Sequence, residues 1–394
     1  MQTHTRRLTV LVQFLVLPTL LASPSDTIRT NSLSALETMQ TNWRAREAAA
    51  EAAASRFLDG GQLWVAGSIP RFDIEWLGRA GGLMPVVVMK DPAAVAAGGV
   101  LVYGCLQGAE KADAALLRQV HEKGALIVAF GGASRADELK PVADHFLPNG
   151  LPTDTPLAPQ VAAAMDLAQL WAFTGDLVGV CTRAGKMPTM WQSVMVEGSR
   201  ERNARYRALR FHDDLKVPAV EPGVLGKQYL TAIVRAVTGL QTQEKQLAAA
   251  GAAVRQTVAA GHTVFHVNLG HFEPAQLLPE GFGAPLTVLP RTQAEADLRA
   301  KAMKGDTALI VWYTEMPTAL LQAARDAGAA SICVVASNPA APLDTRLADT
   351  FLDPQWVFGD AAVEIPGYDV KGLPPSGVLN SLVFYTVLAE AVSP

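Results

Sequence analysis

The segment 305–338, GDTALIVWYTEMPTALLQAARDAGAASICVVASN, constrains the fold more than any other stretch of the chain. Its apolar run at 308–312 is short, bounded and rich in β-forming residues, the pattern of a strand buried on both faces. The turn at 314–318 offers capping hydroxyls and a proline suited to a first helical turn, and Ala319, Leu320, Leu321, Ala324 and Ala327 then form an apolar stripe at helical spacing. Gly328 ends that helix where a left-handed conformation costs little, and 331–336 is the next buried strand. The unit is a right-handed βαβ crossover. Its ligand-binding end lies beyond the carboxyl end of the first strand, at 313–318.

A chain of 394 residues with 49% hydrophobic content can bury a large core, and its length suits two or three domains. With 33 basic and 37 acidic residues and a formal net charge of -4, it has no electrostatic footprint for nucleic acid. Cys105, Cys181 and Cys333 are odd in number and far apart, so they are read as small buried hydrophobes and not as metal or redox groups. Zinc-type His/Cys spacing, a P-loop, a G-x-S-x-G turn and a G-x-G-x-x-G fingerprint are all absent from the sequence, so no metal and no cofactor are expected.

Arg6 and Arg7 precede an apolar run at 8–22 that is too short for a comfortable membrane span and is followed by small and polar residues. Residues 1–25 are therefore read as an export signal. The mature chain is then periplasmic or extracellular and independent of the membrane. A mis-chosen start, with a cytoplasmic protein, and an N-terminal anchor helix are the alternatives.

Taken in order, 32–58 is Ala- and Glu-rich with few breakers and reads as one long helix, stopped by Asp59-Gly60-Gly61. Strands are expected at 62–66, 86–89, 98–104 and 125–130, with helices at 72–77 and 109–123. The later part of this series echoes the opening segment: Ala115-Leu116-Leu117 and Gly124 recur as Ala319-Leu320-Leu321 and Gly328 at an offset of 204. Ala143-Asp-His-Phe-Leu147 recurs as Ala348-Asp-Thr-Phe-Leu352 at an offset of 205, and a second Ala-rich helix at 227–260 precedes a strand that echoes 61–65. Matches in the same order at nearly constant offset point to an internal duplication, with domains at 32–190 and 227–394 and a linker at 191–226. The linker segment 198–210 carries five arginines, Arg200, Arg202, Arg205, Arg207 and Arg210, and reads either as an anion-binding arm or as a solvated strap.

Two further segments carry a resemblance. Glu75-Trp-Leu-Gly-Arg79-Ala-Gly-Gly-Leu83 fits E-x3-RAGGL, and 359–380 fits GDA…EIPG…K…PxS…N, on either side of the strand–turn–helix units. Together they resemble the sugar isomerase (SIS) domain family, and within it bacterial proteins that carry both segments. The resemblance covers most of 32–150 and 227–394. It implies an α/β fold of three α/β/α layers with mostly parallel, flavodoxin-like, five-stranded sheets, in two copies that form a pseudo-dimer with a ligand held between them. It also implies a sugar or sugar-derivative ligand, often an aminosugar phosphate, aldose–ketose isomerisation in some members, and a capacity to oligomerise through the domain faces.

The resemblance places candidate residues. The family's phosphate-binding S-x-S-G-x-T turn, whose hydroxyls and amides solvate a dianion, corresponds to Tyr313, Thr314, Glu315 and Thr318, and the first copy's equivalent at 103–108 has no serine or threonine. Glu315 puts a carboxylate where a phosphate would sit, a repulsion hard to offset without a cation nearby. The Gly-rich turn after the first strand survives as Gly67-Ser68-Ile69 in one copy and as Asn268-Leu-Gly270-His271 in the other. Lys371 and Ser376 precede the last helix, where they could meet an anion, with helix capping the alternative for Ser376. Isomerisation needs an acid and a base near neutral pKa, and Glu75 and His271 are the candidates, with Arg79 beside Glu75 at i, i+4. Glu75 and Arg79 could equally form a surface ion pair. Glu273 and Glu315 are further carboxylates near strand ends, and His266, mid-strand, is read as packed. Three functions remain open: a sugar-derivative-binding protein with or without catalysis, an isomerase or lyase acting on an aminosugar phosphate, and a structural dimer module with vestigial pockets.

Overall fold

The computed structural model describes residues 22–339 and 341–393. The expected export signal lies outside the described residues except at its end, where Ser23 caps the first helix by accepting from the amide of Asp26.

The first half runs α1 (Pro24–Thr41), α2 (Trp43–Leu58), β1 (Leu63–Gly67), α3 (Phe72–Trp76), β2 (Val86–Val88) and β3 (Val100–Gly104). It continues with α4 (Glu110–His121), β4 (Leu126–Gly131), α5 (Ala136–Leu139), β5 (His145–Pro148) and α6 (Ala158–Arg183). A short helix, α7 (Ser199–Tyr206), lies in the connection. The second half runs α8 (Val224–Gly239), α9 (Glu244–Ala259), β6 (Val264–Asn268), β7 (Leu286–Val288), α10 (Ala294–Lys301) and β8 (Thr307–Val311). It ends with α11 (Thr318–Ala327), β9 (Ala330–Val334), β10 (Thr350–Leu352) and α12 (Ser376–Val392).

The strands form two five-stranded sheets, β2-β1-β3-β4-β5 and β7-β6-β8-β9-β10, parallel throughout. The orders are the same, which fits two copies of one domain. Side-chain alternation explains why the strands read as continuous apolar runs. Val100, Val102, Val128 and Phe130 face the inner core, while Leu101, Tyr103, Ile127 and Ala129 face an outer one with Leu117, Val120 and Leu139. In the second sheet Leu309, Val311, Ile332 and Val334 point inward, and Ala308, Ile310 and Cys333 point outward against Leu298, Leu320 and Leu321. All three cysteines are buried.

The inner core is continuous across both halves. Its centre is α6, 26 residues long and buried nearly all round, packed on α12, of which every residue but Val392 is buried. Such helices carry no solvent face because a sheet lies on either side of the helical layer.

Two expectations are corrected. The helix expected at 32–58 is two, divided at Asn42 (φ -85°, ψ 19°), a poor helix former whose amide still bonds Thr38 O. The helix expected at 227–260 is also divided, by a 3-10 turn at Leu240–Gln243. Gln243 fixes that break, donating to Asp353 O and accepting from Asp353 N, each at 2.7 Å.

The break at Asn42 lets α2 turn Arg46 into the core, where its Nε lies 2.7 Å from Asp176 Oδ2 of α6 with both side chains inaccessible. Asp176 also accepts from Gly226 N, so one carboxylate ties α2, α6 and α8. Burial pushes its carboxyl up to about 6 despite Arg46. Asp176→Ala, which strands the guanidinium, is expected to cost about 3–5 kcal/mol, while the double swap Arg46→Met/Asp176→Leu is expected to cost far less. Urea denaturation midpoints check this, and a single variant with unchanged midpoint would refute it.

Candidate functional site

The carboxyl ends of β6 and β8 open into a cleft of about 640 Å³. Leu269, Gly270 and His271 follow β6 in its wall, Trp312, Tyr313 and Glu315 follow β8, and Asp360, Ser376 and Asn380 come from α12 and the segment before it. The first half contributes Gly78, Arg79 and Ala80, and the connection contributes Trp191 to Met195 and one face of α7. The cleft is thus built by both halves and by the segment between them.

Arg79 organises it. The turn after α3 carries the guanidinium inward to 3% exposure, where Nη2 donates to Asp360 Oδ2 at 2.8 Å and to Ser376 Oγ at 2.6 Å. Ser376 in turn donates its hydroxyl to Asp360 Oδ2 (2.9 Å) and its amide to Asp360 Oδ1 (3.0 Å). Asp360 holds this position with φ 49°, a left-handed conformation that Asp tolerates. Ser376 is the first residue of α12, held as a partner of Asp360 and Arg79 and making no N-cap bond of the kind weighed for it.

Glu75 lies behind Arg79, fully buried, with Oε1 3.6 Å from Arg79 Nε and accepting from Trp171 Nε1 at 3.3 Å. Oε2 has no hydrogen-bond partner. The surface ion pair considered from the i, i+4 spacing is therefore corrected: the α3 turn packs both side chains inside. Burial pushes the Glu75 carboxyl up to about 7, opposed by Arg79 and reinforced by Asp360. A Cβ at Gly377 would overlap this carboxyl, so the start of α12 can pack here only as glycine. Similarly a Cβ at Gly81 (φ 74°) would stand 2.9 Å from Leu373 N, which donates to Gly81 O, and one at Gly82 would stand 3.0 Å from the Trp171 ring. The E-x3-RAGGL and GDA…PxS…N segments are thus one packed unit.

The remaining candidates divide clearly. His271 lines the cleft, and burial first and Arg79 next depress its imidazole to about 4, so it is neutral at neutral pH. Gly270, Tyr313 and Glu315 also line it. Asn268 is occupied in its own turn, donating to Phe272 O and accepting from Gly270 N. Thr314 and Thr318 line a neighbouring hollow of about 350 Å³ that shares Glu315 and Met195 with the cleft. Lys371 stands outside both, 2.8 Å from Glu364 on the surface. His266 is packed as expected, between Leu309 O and Glu273 Oε1.

Ser68 belongs to the other sheet and to a closed site. Its hydroxyl donates to Asp113 Oδ2 and accepts from Leu106 N, and the space beyond β1 and β3 is about 20 Å³. The Phe72 ring fills the place, so close to Gly104 that a Cβ there would meet it at 2.5 Å. Asp360, Trp191, Asn203, Asn380 and Arg291 were not singled out as site residues by sequence reasoning. Asp360 had a signal, since it lies in the GDA segment, and Arg200, Asn203, Ala204 and Arg207 have i, i+3, i+4, i+7 spacing.

No family model matches the chain. A UPF0309 protein of Streptomyces griseus subsp. griseus is 28% identical, over 43% of this chain and 82% of that protein. Two solved structures superimpose over nearly the whole molecule. One, from Salmonella typhimurium LT2 and described as a sugar-binding protein, gives a TM-score of 0.55 at 11% identity, covering 93% of this chain and 98% of that one. The other, the C-terminal domain of glucosamine-fructose-6-phosphate aminotransferase from Francisella tularensis, gives 0.52 at 11% identity, with 94% and 98% covered. The shared fold is two α/β units, each built on a parallel five-stranded sheet. Within this fold, the open cleft is at the strand ends of the second sheet and the closed one at those of the first.

The raised Glu75 carboxyl has a measurable consequence. Its folded pKa is above the unfolded one, so its contribution to stability is fully present below the unfolded value and is lost as pH rises through about 4.5 to 7. Glu75→Gln removes this loss, which is on the order of 3 kcal/mol. Thermal midpoints measured across that range are expected to fall for the parent relative to Glu75→Gln as pH rises, and parallel profiles would refute the assignment.

Proposed function

We propose that the chain binds a sugar or sugar derivative in the cleft between its halves. The carrying observation is the cleft itself, where amide, indole, phenol and guanidinium groups from both halves converge on a volume suited to a small polar ligand. Trp191 and Tyr313 bring aromatic rings to the lining, and Gln192 and Asn380 bring side-chain amides, while Asn203 is spent on the Gln192 backbone, accepting from its amide and donating to its carbonyl. The fold supports the reading, because one structural neighbour is described as a sugar-binding protein.

Isomerase or lyase chemistry on an aminosugar phosphate is the second reading, favoured by one observation. A carboxyl near 7 is poised to give or take a proton at neutral pH, whereas the His271 imidazole, depressed to about 4, is left as a neutral hydrogen-bonding group. Against it, Glu75 lies beneath Arg79 and does not line the cleft, so binding is preferred. The structural-module reading fits the first half alone, whose site is closed.

Titration calorimetry against a panel of hexoses, N-acetylhexosamines and their derivatives tests the proposal. At least one is expected to bind, with Gln192→Ala and Tyr313→Ala each weakening it roughly tenfold, or about 1.4 kcal/mol. Silence across the panel would favour the structural module, and aldose–ketose turnover lost in Glu75→Gln would favour the isomerase.

We also propose that the chain is exported, on the strength of Arg6, Arg7 and the apolar run at 8–22. A reporter fused after residues 1–30 is expected outside the cytoplasm, and a cytoplasmic reporter would overturn this.

A further inference from the structure

We infer that the cleft selects an anionic sugar derivative and that its acidic group is held by Arg200 of α7 and Arg207 at that helix's C-terminal cap together with Arg291, away from the turn at 313–318. The inference rests on the sugar-binding reading and adds the ligand's charge and the element that recognises it.

The arginines of the connecting segment fall into two sets. Arg202 donates to both carboxylate oxygens of Asp369, to Met190 O and to Tyr368 Oη. Arg205 is paired with Asp214, and Arg210 donates to the carbonyls of Phe57, Gly60 and Gly61. These three fasten the segment to its surroundings. Arg200 and Arg207 have no ion pair and no side-chain hydrogen bond among the described residues, and both line the cleft. They share one face of α7 with Asn203 and Ala204, at the spacing that turns four side chains the same way. Arg291, reached from β7, completes the set and is equally unpaired among the described residues. Surface arginines that merely solvate a helix would be distributed around it. Here the tethering cations point away and the unpaired ones line the cleft.

Charge supports the assignment. The lining holds four arginines, Arg79, Arg200, Arg207 and Arg291, against two carboxylates, Asp360 and Glu315, in a chain whose formal net charge is -4. Arg79 is already matched by Asp360 at 2.8 Å. The surplus positive charge is therefore on the connecting segment and Arg291, and it is the nearby cation that an anion would need to tolerate Glu315. Guanidinium forks match oxyanions bidentately, so the acidic group is a carboxylate, a phosphate ester or a sulfate ester. The Nε1 of Trp191, a buried donor in the same wall with no partner, is of the type that would serve such a group.

Calorimetry on the full chain compares neutral hexoses and N-acetylhexosamines with their uronates, 6-phosphates and 6-sulfates, using Arg200→Gln/Arg207→Gln and, as charge-retaining control, Arg200→Lys/Arg207→Lys. One acidic series is expected to bind at least tenfold more tightly than its neutral parents, and which one it is distinguishes the three oxyanions. That advantage should shrink with added salt, vanish in the glutamine variant and persist in part in the lysine variant. Equal binding of neutral and acidic sugars, or an acid preference that survives in the glutamine variant, overturns the inference. If no sugar binds, inorganic phosphate and sulfate decide: stabilisation lost in the glutamine variant retains the anion site while the sugar reading fails, and an unchanged response in that variant overturns both. The substituted side chains are exposed and unpaired, so circular dichroism is expected to show unchanged folding.

Discussion

A guanidinium at 3% exposure stays charged inside a protein only when other groups replace the water it has lost, and Arg79 finds them in the other half of the chain. Asp360 and Ser376 supply the oxygens, and the three are mutually hydrogen-bonded, so removing one leaves the others buried and unmatched. This dependence makes the α3 turn and the start of α12 a single unit, although they are 281 residues apart for the Arg79–Asp360 bond. Gly81, Gly82 and Gly377 are the steric condition for it. The site cannot be assigned to either half alone, because its central cation comes from one and its counter-charge from the other.

The two sheets have the same strand order and different uses. In the first, Phe72 packs on Gly104, and the Ser68 hydroxyl is bonded to Asp113, which also accepts from Tyr103 at 2.9 Å. Packing that fills the first site also fixes α3, and the α3 turn is what delivers Glu75 and Arg79 to the second. Closure of one site and construction of the other are thus consequences of the same short helix.

Strands were legible in the sequence because a sheet buried on both faces gives continuous apolar runs, and the helix after β8 was legible because its stripe is bounded by Pro317 and by Gly328, which has φ 73°. The helix break at Asn42 was not, since a single poor helix former stands there within a long run of good ones, nor was that at 240–243, whose decisive bonds, between Gln243 and Asp353, are made across more than a hundred residues. The same reason hid the burial of Glu75 and Arg79. At i, i+4 a carboxylate and a guanidinium look like a solvated pair, and only the arrival of α12 removes the solvent. Composition marked the arginine-rich segment, yet which of its arginines are tethered depends on Asp369, Asp214 and three carbonyls that no local pattern reveals.

That segment belongs to neither sheet, and it changes how the turn at β8 should be understood. A carboxylate at Glu315 alone argues against any anion in the cleft. With Arg200, Arg207 and Arg291 in the same lining, the cleft carries both signs of charge, and the acidic ligand proposed above would be attracted at the arginines and repelled at Glu315. The scaffold provides the strand ends and the buried Arg79 network. The connection adds unpaired positive charge to the cleft, and it is anchored by cations separate from those it presents.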